Sequence, residues 1–327
     1  MIAFVTGATG FLGKRVVRRL LDRGDQVRVL ARDEAKAAAL AEAGAEVVIG
    51  DLTDVDAFRD KLDGCDALFH IGARVLSHGD WDEFVQANIV ATAKLIDYAL
   101  EVGVGRIVHV SSIGIFEIPA DGVTISEETD YDHQPVLRGY YTRSKIDADR
   151  IARAAQATGK PVVIVRPGQL YGPDAPEPLF MGRVNKRFGP MLLVVGTPGY
   201  YAPLVYVENA ADAVVSAGTA EGVEGRIFNV VDESDLSQRE YFEVIKQLPG
   251  YPKYILYVPV GLFMPAVGVV DKLFKLLKRR AWSPAYQLRR SGRNARYATD
   301  VARNTLGWQP RLAWQEAVHE TAAGLEK

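Results

Sequence analysis

The first thirteen residues, MIAFVTGATGFLG, leave this chain few options for what it folds into. Ile2, Phe4 and Val5 make a short apolar run with no polar alternation, the pattern of a strand buried on both faces of a parallel sheet. The chain then turns through Thr6-Gly7-Ala8-Thr9-Gly10 straight into a helical pattern from Phe11 to Arg23. Gly7, Gly10 and Gly13 can divide the work of that junction. One permits a tight turn, one lets the backbone approach a pyrophosphate, and one packs helix against strand. The amide groups and positive dipole end of such a helix suit an anion. A glycine triplet alone also fits a flexible turn, but a strand before it and a helix after it favour the binding loop. The fold this predicts is α/β, a doubly wound parallel sheet.

At 327 residues the chain calls for one large domain, or a main domain with a satellite. Its 48% hydrophobic and 24% charged residues are ordinary globular composition, and a net charge of −2 gives no reason to expect nucleic acid. Cys65 is the single cysteine, so neither a disulfide framework nor a metal cluster is expected. No signal-peptide pattern precedes the first strand, which points to the cytoplasm. Tyr254 to Val270 holds seventeen uncharged residues, but Pro259, Gly261, Pro265 and Gly268 break it. A spanning helix needs about 20 apolar residues. The basic amphipathic stretch DKLFKLLKRR follows, and a peripheral membrane contact across 254–280 is the alternative to an ordinary solvated helix.

Further along, Gln26 to Leu30 reads as a second strand ending in Ala31-Arg32-Asp33. An acidic residue at such a strand end grips ribose hydroxyls, whereas an Arg accommodates a 2′-phosphate. Arg32 therefore favours NADP(H), with NAD(H) kept open by Asp33. Glu34 to Ala43 reads as a helix, Glu46 to Ile49 as a strand, and Asp51 as a cap for a helix from Thr53. After the strand Ala67–His70, the small turn Ile71-Gly72-Ala73 can lie against a cofactor, and His70 reads as a satisfied strand residue. Trp81 to Glu101 has apolar residues at helical spacing, with Asn88 among them needing a hydrogen-bond partner. Arg106 to Ser112 is a strand ending in hydroxyls. Tyr141 and Lys145, four residues apart, share one face of the next helix; Tyr140 has only Ser144 at that offset. The strand Val162–Val165 then closes on RPGQLYGP.

TGATGFLG, QANIVAT, SSIGIF, YYTRSK and RPGQLYGP, in this order, resemble the signatures of the extended short-chain dehydrogenase/reductase superfamily. Within it the chain is most similar in feel to members acting as 3β-hydroxysteroid dehydrogenases and dihydroflavonol reductases. The resemblance implies a Rossmann-type domain over 1–173, completed by a return segment at 203–231. A smaller substrate-binding domain would comprise 174–202 and 232–327. It implies that Ser112, Tyr141 and Lys145 carry the chemistry, with Ser111 the runner-up to Ser112 and Asn88 holding the set together. Ala91 stands where the family has Gly, and Ala31 where NAD-preferring relatives have Asp. Implied cofactor contacts are Gly7, Thr9, Gly10, Phe11, Leu12, Gly13, Arg32, Asp51 (to the adenine amino group), Leu52, Gly72, Ala73, Tyr141, Lys145 and Pro167.

Such a set moves hydride between a nicotinamide and a carbinol or ketone carbon. Nucleotide-sugar members carry an Arg where this chain has Ala202, and the satellite is rich in residues such as Leu179, Phe180, Met181, Leu192 and Phe263. A hydrophobic alcohol or ketone is the expected substrate. A sugar-nucleotide epimerase or dehydratase, its charge met by Arg183, Lys186 and Arg187, is the alternative, and a non-catalytic dinucleotide sensor the third reading. The family's habit also implies a homodimer through the helices at 81–101 and 138–156.

Overall fold

The computed structural model describes all residues except 76–78, 176, 178, 180–184, 277–282, 292 and 325–327. Phe180, Met181 and Arg183, and the end of the basic stretch at 277–280, therefore lie outside the described residues.

Short apolar runs build the centre of the molecule. They are β1 (Ile2–Thr6), β2 (Gln26–Ala31), β3 (Glu46–Ile49), β4 (Ala67–His70), β5 (Arg106–Val110), β6 (Val162–Pro167) and β7 (Ile227–Val230). They pair in the order β7-β6-β5-β4-β1-β2-β3, every neighbouring pair parallel. The order reverses between β4 and β1, the place where open α/β sheets leave a crevice at their carboxyl ends. Alternate residues face opposite layers, as the pleat requires. Val5, Phe69, Val108, Val165 and Phe228 join the core shared with α1 (Gly13–Asp22). Phe4, Leu68, Ile107, Ile164 and Ile227 join the core on the other side.

Four further helices precede the return segment: α2 (Glu34–Glu42), α3 (Trp81–Phe84), α4 (Ala91–Glu101) and α5 (Tyr140–Ala157). Two local expectations give way here. No α-helix starts at Thr53; two 3₁₀ turns, Val55–Ala57 and Arg59–Leu62, occupy the stretch. Asp51 takes the Thr53 amide two residues on, at 2.8 Å, closing a local turn that competes with a helix. The continuous helix expected over 81–101 is interrupted by a π-helical turn, Val85–Val90, between α3 and α4. Apolar spacing of three and four residues fits either form, so the sequence pattern did not reveal it.

The rest of the chain adds a helix to the face of the sheet that α1 covers, then a smaller part beyond it. α6 (Val207–Thr219) lies against α1. Strand Met191–Val195 pairs parallel with Tyr254–Val258 and antiparallel with Lys186–Phe188. α7 (Gln238–Ile245), α8 (Met264–Leu276) and α9 (Pro284–Ser291) belong to this part. The C-terminal segment is stitched back onto α6: Trp308 Nε1 donates to the Asn209 carbonyl and Leu312 N to Asn209 Oδ1. No described helix is long and apolar enough to cross a membrane.

Candidate active site

A cleft of about 1050 Å³ opens at the carboxyl ends of the strands. Its floor is backbone. Gly7 sits at φ +70, and a Cβ there would lie 2.6 Å from the Gly72 amide nitrogen. A Cβ on Gly13 would fall 2.0 Å from the Gly7 carbonyl oxygen. Two loops thus press together with no room for side chains, leaving a smooth cradle. Among the described residues no side chain caps α1, and its first turn holds no acid. The helix's positive end is left for an anion such as a pyrophosphate. These residues fit a dinucleotide; no group of metal-ligating side chains occurs among the described residues.

Thr9, Gly10, Phe11, Leu12, Arg32, Asp51, Leu52, Gly72, Ala73, Ser112, Tyr141, Lys145 and Pro167 all line this cleft with Gly7 and Gly13. Asp33 does not; its carboxylate caps α2, accepting from Ala35 N at 3.0 Å. Arg32 is 77% exposed and lies 3.7 Å from Asp51. Asp51 lines the cleft while accepting from Thr53 N and Oγ1. Against some cost of burial, those two bonds and Arg32 hold its carboxyl below the usual range.

Tyr141 opens α5 half-buried toward the cleft, with Lys145 one turn on. The ring of Tyr140 is turned instead onto Trp81 and Phe84, with centroids 5.6 and 5.9 Å away. Ser112 is half-buried and its Oγ accepts from Gly114 N at 3.0 Å, whereas Ser111 is buried. The Lys145 ammonium donates to the Val110 carbonyl at 2.7 Å. Burial pushes it down to about 8, with Asp149 working the other way.

Asn88 is buried behind the cleft wall and does not line it. Its Oδ1 accepts from Arg74 N at 2.6 Å, and its Nδ2 donates to Arg74 O and to Ser144 Oγ, at 3.1 and 2.8 Å. Ser144 Oγ in turn donates to the Tyr141 carbonyl at 2.9 Å. Asn88 therefore ties the cleft loop after β4 to the first turn of α5.

A chain of hydrogen bonds that sequence reading missed runs under this wall. Thr92 Oγ1 donates to the Asn88 carbonyl at 2.6 Å, so toward His70 Nε2, 2.9 Å away, it can only accept. His70 must then carry its proton on Nε2, and Nδ1 accepts from Thr6 Oγ1 at 2.8 Å. Thr6 Oγ1 accepts from Gly72 N at 3.1 Å. One neutral imidazole thus joins the glycine turn to Asn88. Burial, then the Lys145 charge, push His70 down to about 3. Its neighbour His109, ring centroids 5.5 Å apart, is buried with no partner for either nitrogen among the described residues. Burial first, then Lys145, holds it well below the ordinary histidine range. Beyond it Arg166 clasps Asp149 through two bonds of 3.1 and 2.6 Å, both side chains fully buried. Partners 4 to 66 residues apart follow no spacing rule that a sequence motif could show.

Fold and cleft together define a dinucleotide-binding enzyme of Rossmann type. Residues 3–230 match the model of the NAD dependent epimerase/dehydratase family, and the chain belongs to that family. It is an NAD(P)-dependent oxidoreductase of the extended short-chain type. The chain is 27% identical to a 4-hydroxy-2-methyl-3-oxo-4-farnesyl-3,4-dihydroquinoline-1-oxide ketoreductase of Stigmatella aurantiaca, covering 97% of this chain and 95% of that protein. It is 30% identical to sterol demethylase protein B of Methylococcus capsulatus, over 97% of each. Among solved structures, gox2253 superposes with a TM-score of 0.83 at 27% identity, over 99% of this chain and 98% of that one. MoeE5 in complex with UDP-glucose and NAD gives 0.73 at 20% identity, over 100% and 99%, a likeness of fold alone.

Proposed function

We propose that this enzyme uses NADP(H) to interconvert a hydroxyl and a ketone on a bulky hydrophobic molecule. The observation that carries the chemistry is the convergence of Ser112, Tyr141 and Lys145 on the cleft whose floor is the glycine cradle. When bound, the dinucleotide supplies the hydride for reduction or accepts it in oxidation. Tyr141 delivers the proton to the carbonyl oxygen or takes it from the alcohol. A phenol of pKa about 10 is a poor base near neutrality, and the Lys145 ammonium, one helical turn away, favours the phenolate. That ammonium spends one N–H on Val110 and keeps others for the cleft, where the ribose of the cofactor would meet them. Because Ser112 Oγ already accepts from Gly114, its own proton is free to bond the substrate oxygen.

Cofactor choice rests on Arg32. It reaches out at the end of β2 while Asp33 is engaged as a cap, so the strand end offers the adenosine ribose a guanidinium and not the Asp33 carboxylate. Arg32→Ala should raise KM for NADPH roughly tenfold, as loss of a charged hydrogen bond does, and leave KM for NADH nearly unchanged. Equal effects on both would refute the assignment.

The substrate class is supported by Ala202, which is buried and offers no charge for a diphosphate. Segments 174–202 and 232–327 form the substrate side in this reading. Relatives named for a farnesylated quinoline and for sterols point the same way. Arg187, a candidate for the sugar-nucleotide reading, donates to the Gly189 and Gly250 carbonyls and does not line the cleft. That reading keeps one specific support, a second cleft of about 410 Å³ lined by Arg289, Arg290 and Arg293. Arg290 and Arg293 already donate to the carbonyls of Phe116 and Ile118. A turnover panel of steroid, aryl and aliphatic ketones, with calorimetric titration of UDP- and dTDP-sugars into NADP-loaded enzyme, tests the proposal. Turnover of the ketones with no sugar-nucleotide binding is expected. Tight UDP-sugar binding that Arg289→Ala abolishes would hand the site to the epimerase reading. A homodimer through the outer faces of α4 and α5 completes the proposal.

A further inference from the structure

Exposed large apolar side chains are unevenly spread over the described surface. Of thirteen, nine fall within 188–191 and 254–276. Phe188, Met191 and Tyr254 are register neighbours on one face of the three-stranded sheet. From that sheet the chain passes into α8, where Val269, Leu273 and Leu276 stand exposed at helical spacing behind the exposed Leu262. Between Pro259 and Leu273 the only exposed charge is Lys272. Asp271 is turned inward, accepting from Ser283 Oγ. A helix on a water-facing surface normally shows the reverse, its apolar stripe inside and its charges out. An apolar patch this concentrated marks a contact with something.

Charge decides what. Lys272 to Arg280 holds five basic residues and no acidic one, in a chain of net charge −2. A second copy docked about a two-fold axis would set this run against itself. An anionic lipid surface meets it with opposite charge, each basic residue contributing roughly fivefold to binding. α8 has thirteen residues, about 20 Å at 1.5 Å per residue, too short for a hydrocarbon core of about 30 Å but suited to lying in its surface. We propose that α8, with the strand face leading into it, docks this enzyme on anionic membrane surfaces without crossing them. The inference makes no use of the substrate reading, and its test does not depend on turnover.

The full chain is floated with vesicles of phosphatidylcholine alone and of phosphatidylcholine with about one-third phosphatidylglycerol. Binding to the anionic vesicles only, weakening as salt rises, is expected. The double variant Val269→Glu/Leu273→Glu, at exposed positions, should bind at least about tenfold more weakly with an unchanged unfolding midpoint. Lys272→Glu, which leaves the apolar stripe intact, should bind about fivefold more weakly or worse. Wild-type protein that stays unbound, or a double variant that floats as well as wild type, overturns the proposal. So does a solution dimer that the double variant splits, since the second copy would then own the surface.

Discussion

The two faces of the central sheet part company at its carboxyl end. Toward α1 and α6 the strands stay apolar to the last, through Val5, Phe69, Val110, Val165 and Val230. Toward α4 and α5 five of the seven strands open apolar and end polar: Phe4 then Thr6, Leu68 then His70, Ile107 then His109, Ile164 then Arg166, Ile227 then Asn229. All five polar residues are buried. A sheet gains no stability from this exchange, since burying polar groups and charges is unfavourable unless each is partnered. The polar layer lies directly beneath Lys145 and Asn88, so the difference between the faces separates what holds the fold from what holds the site.

The largest effect should come where the polar face meets the cleft. Tyr141→Phe removes only a transferable proton, and turnover should fall about 100- to 10,000-fold with cofactor binding retained. Near-wild-type rates in a steady-state assay would move the acid–base role elsewhere. Next comes the buried ion pair. Arg166→Met strands the Asp149 carboxylate and should cost about 3–5 kcal/mol in chemical denaturation, while Arg166→Met/Asp149→Leu should recover part of that loss. On the apolar face Phe228→Ala should cost a similar 3–5 kcal/mol by leaving a cavity, with no change in pH dependence. A double variant no better than Arg166→Met alone would mean that the layer is held by something other than this pair.

Histidine sharpens the contrast further. His70 is held near 3, while an unfolded histidine titrates near 6.5, so the unfolded chain binds the extra proton between those values. The stability that His70 contributes is complete above pH 6.5 and drains away as pH falls toward 3. His70→Leu should lose about 1–3 kcal/mol at pH 8, because Thr6 and Thr92 lose their partner, yet flatten the acid slope. The smallest effect belongs to His109. With neither nitrogen partnered among the described residues, His109→Leu should stay within about 1 kcal/mol of wild type at pH 8 while also flattening the acid slope. Thermal unfolding across pH checks both, and a larger loss for His109→Leu than for His70→Leu would break the distinction drawn between them.

Local chemistry made much of this molecule legible beforehand. The glycine loop is readable because each turn and close approach needs a residue without a Cβ. Tyr141 and Lys145 are readable because a helix face repeats every three or four residues, and the same rule told Tyr140 apart. His70 as a satisfied strand residue agrees with its two threonine partners. What stayed hidden was relational. The apolar-then-polar ending of five strands is written in alternate residues, but its meaning depends on the strands lying side by side, which no single segment reveals. The turns after Asp51 depend on one side chain outbidding the helix for an amide. The links from Asn88 to Arg74 and Ser144 join separate segments.

The π-helical turn at Val85–Val90 has a consequence for how this chain can change. Its widened ring, closed by Ala91 N donating to Gln86 O, holds one residue more than an α-helix needs. Loss of a single codon there would regularise the backbone. Yet each residue of a helix turns about 100°, so the shortened chain would swing Asn88 away from Arg74 and Ser144. It would also remove the need for Thr92 to serve the Asn88 carbonyl, and with it the constraint that sets the His70 proton. Along these six residues a reading-frame-preserving deletion would tidy the helix and dismantle the site it supports.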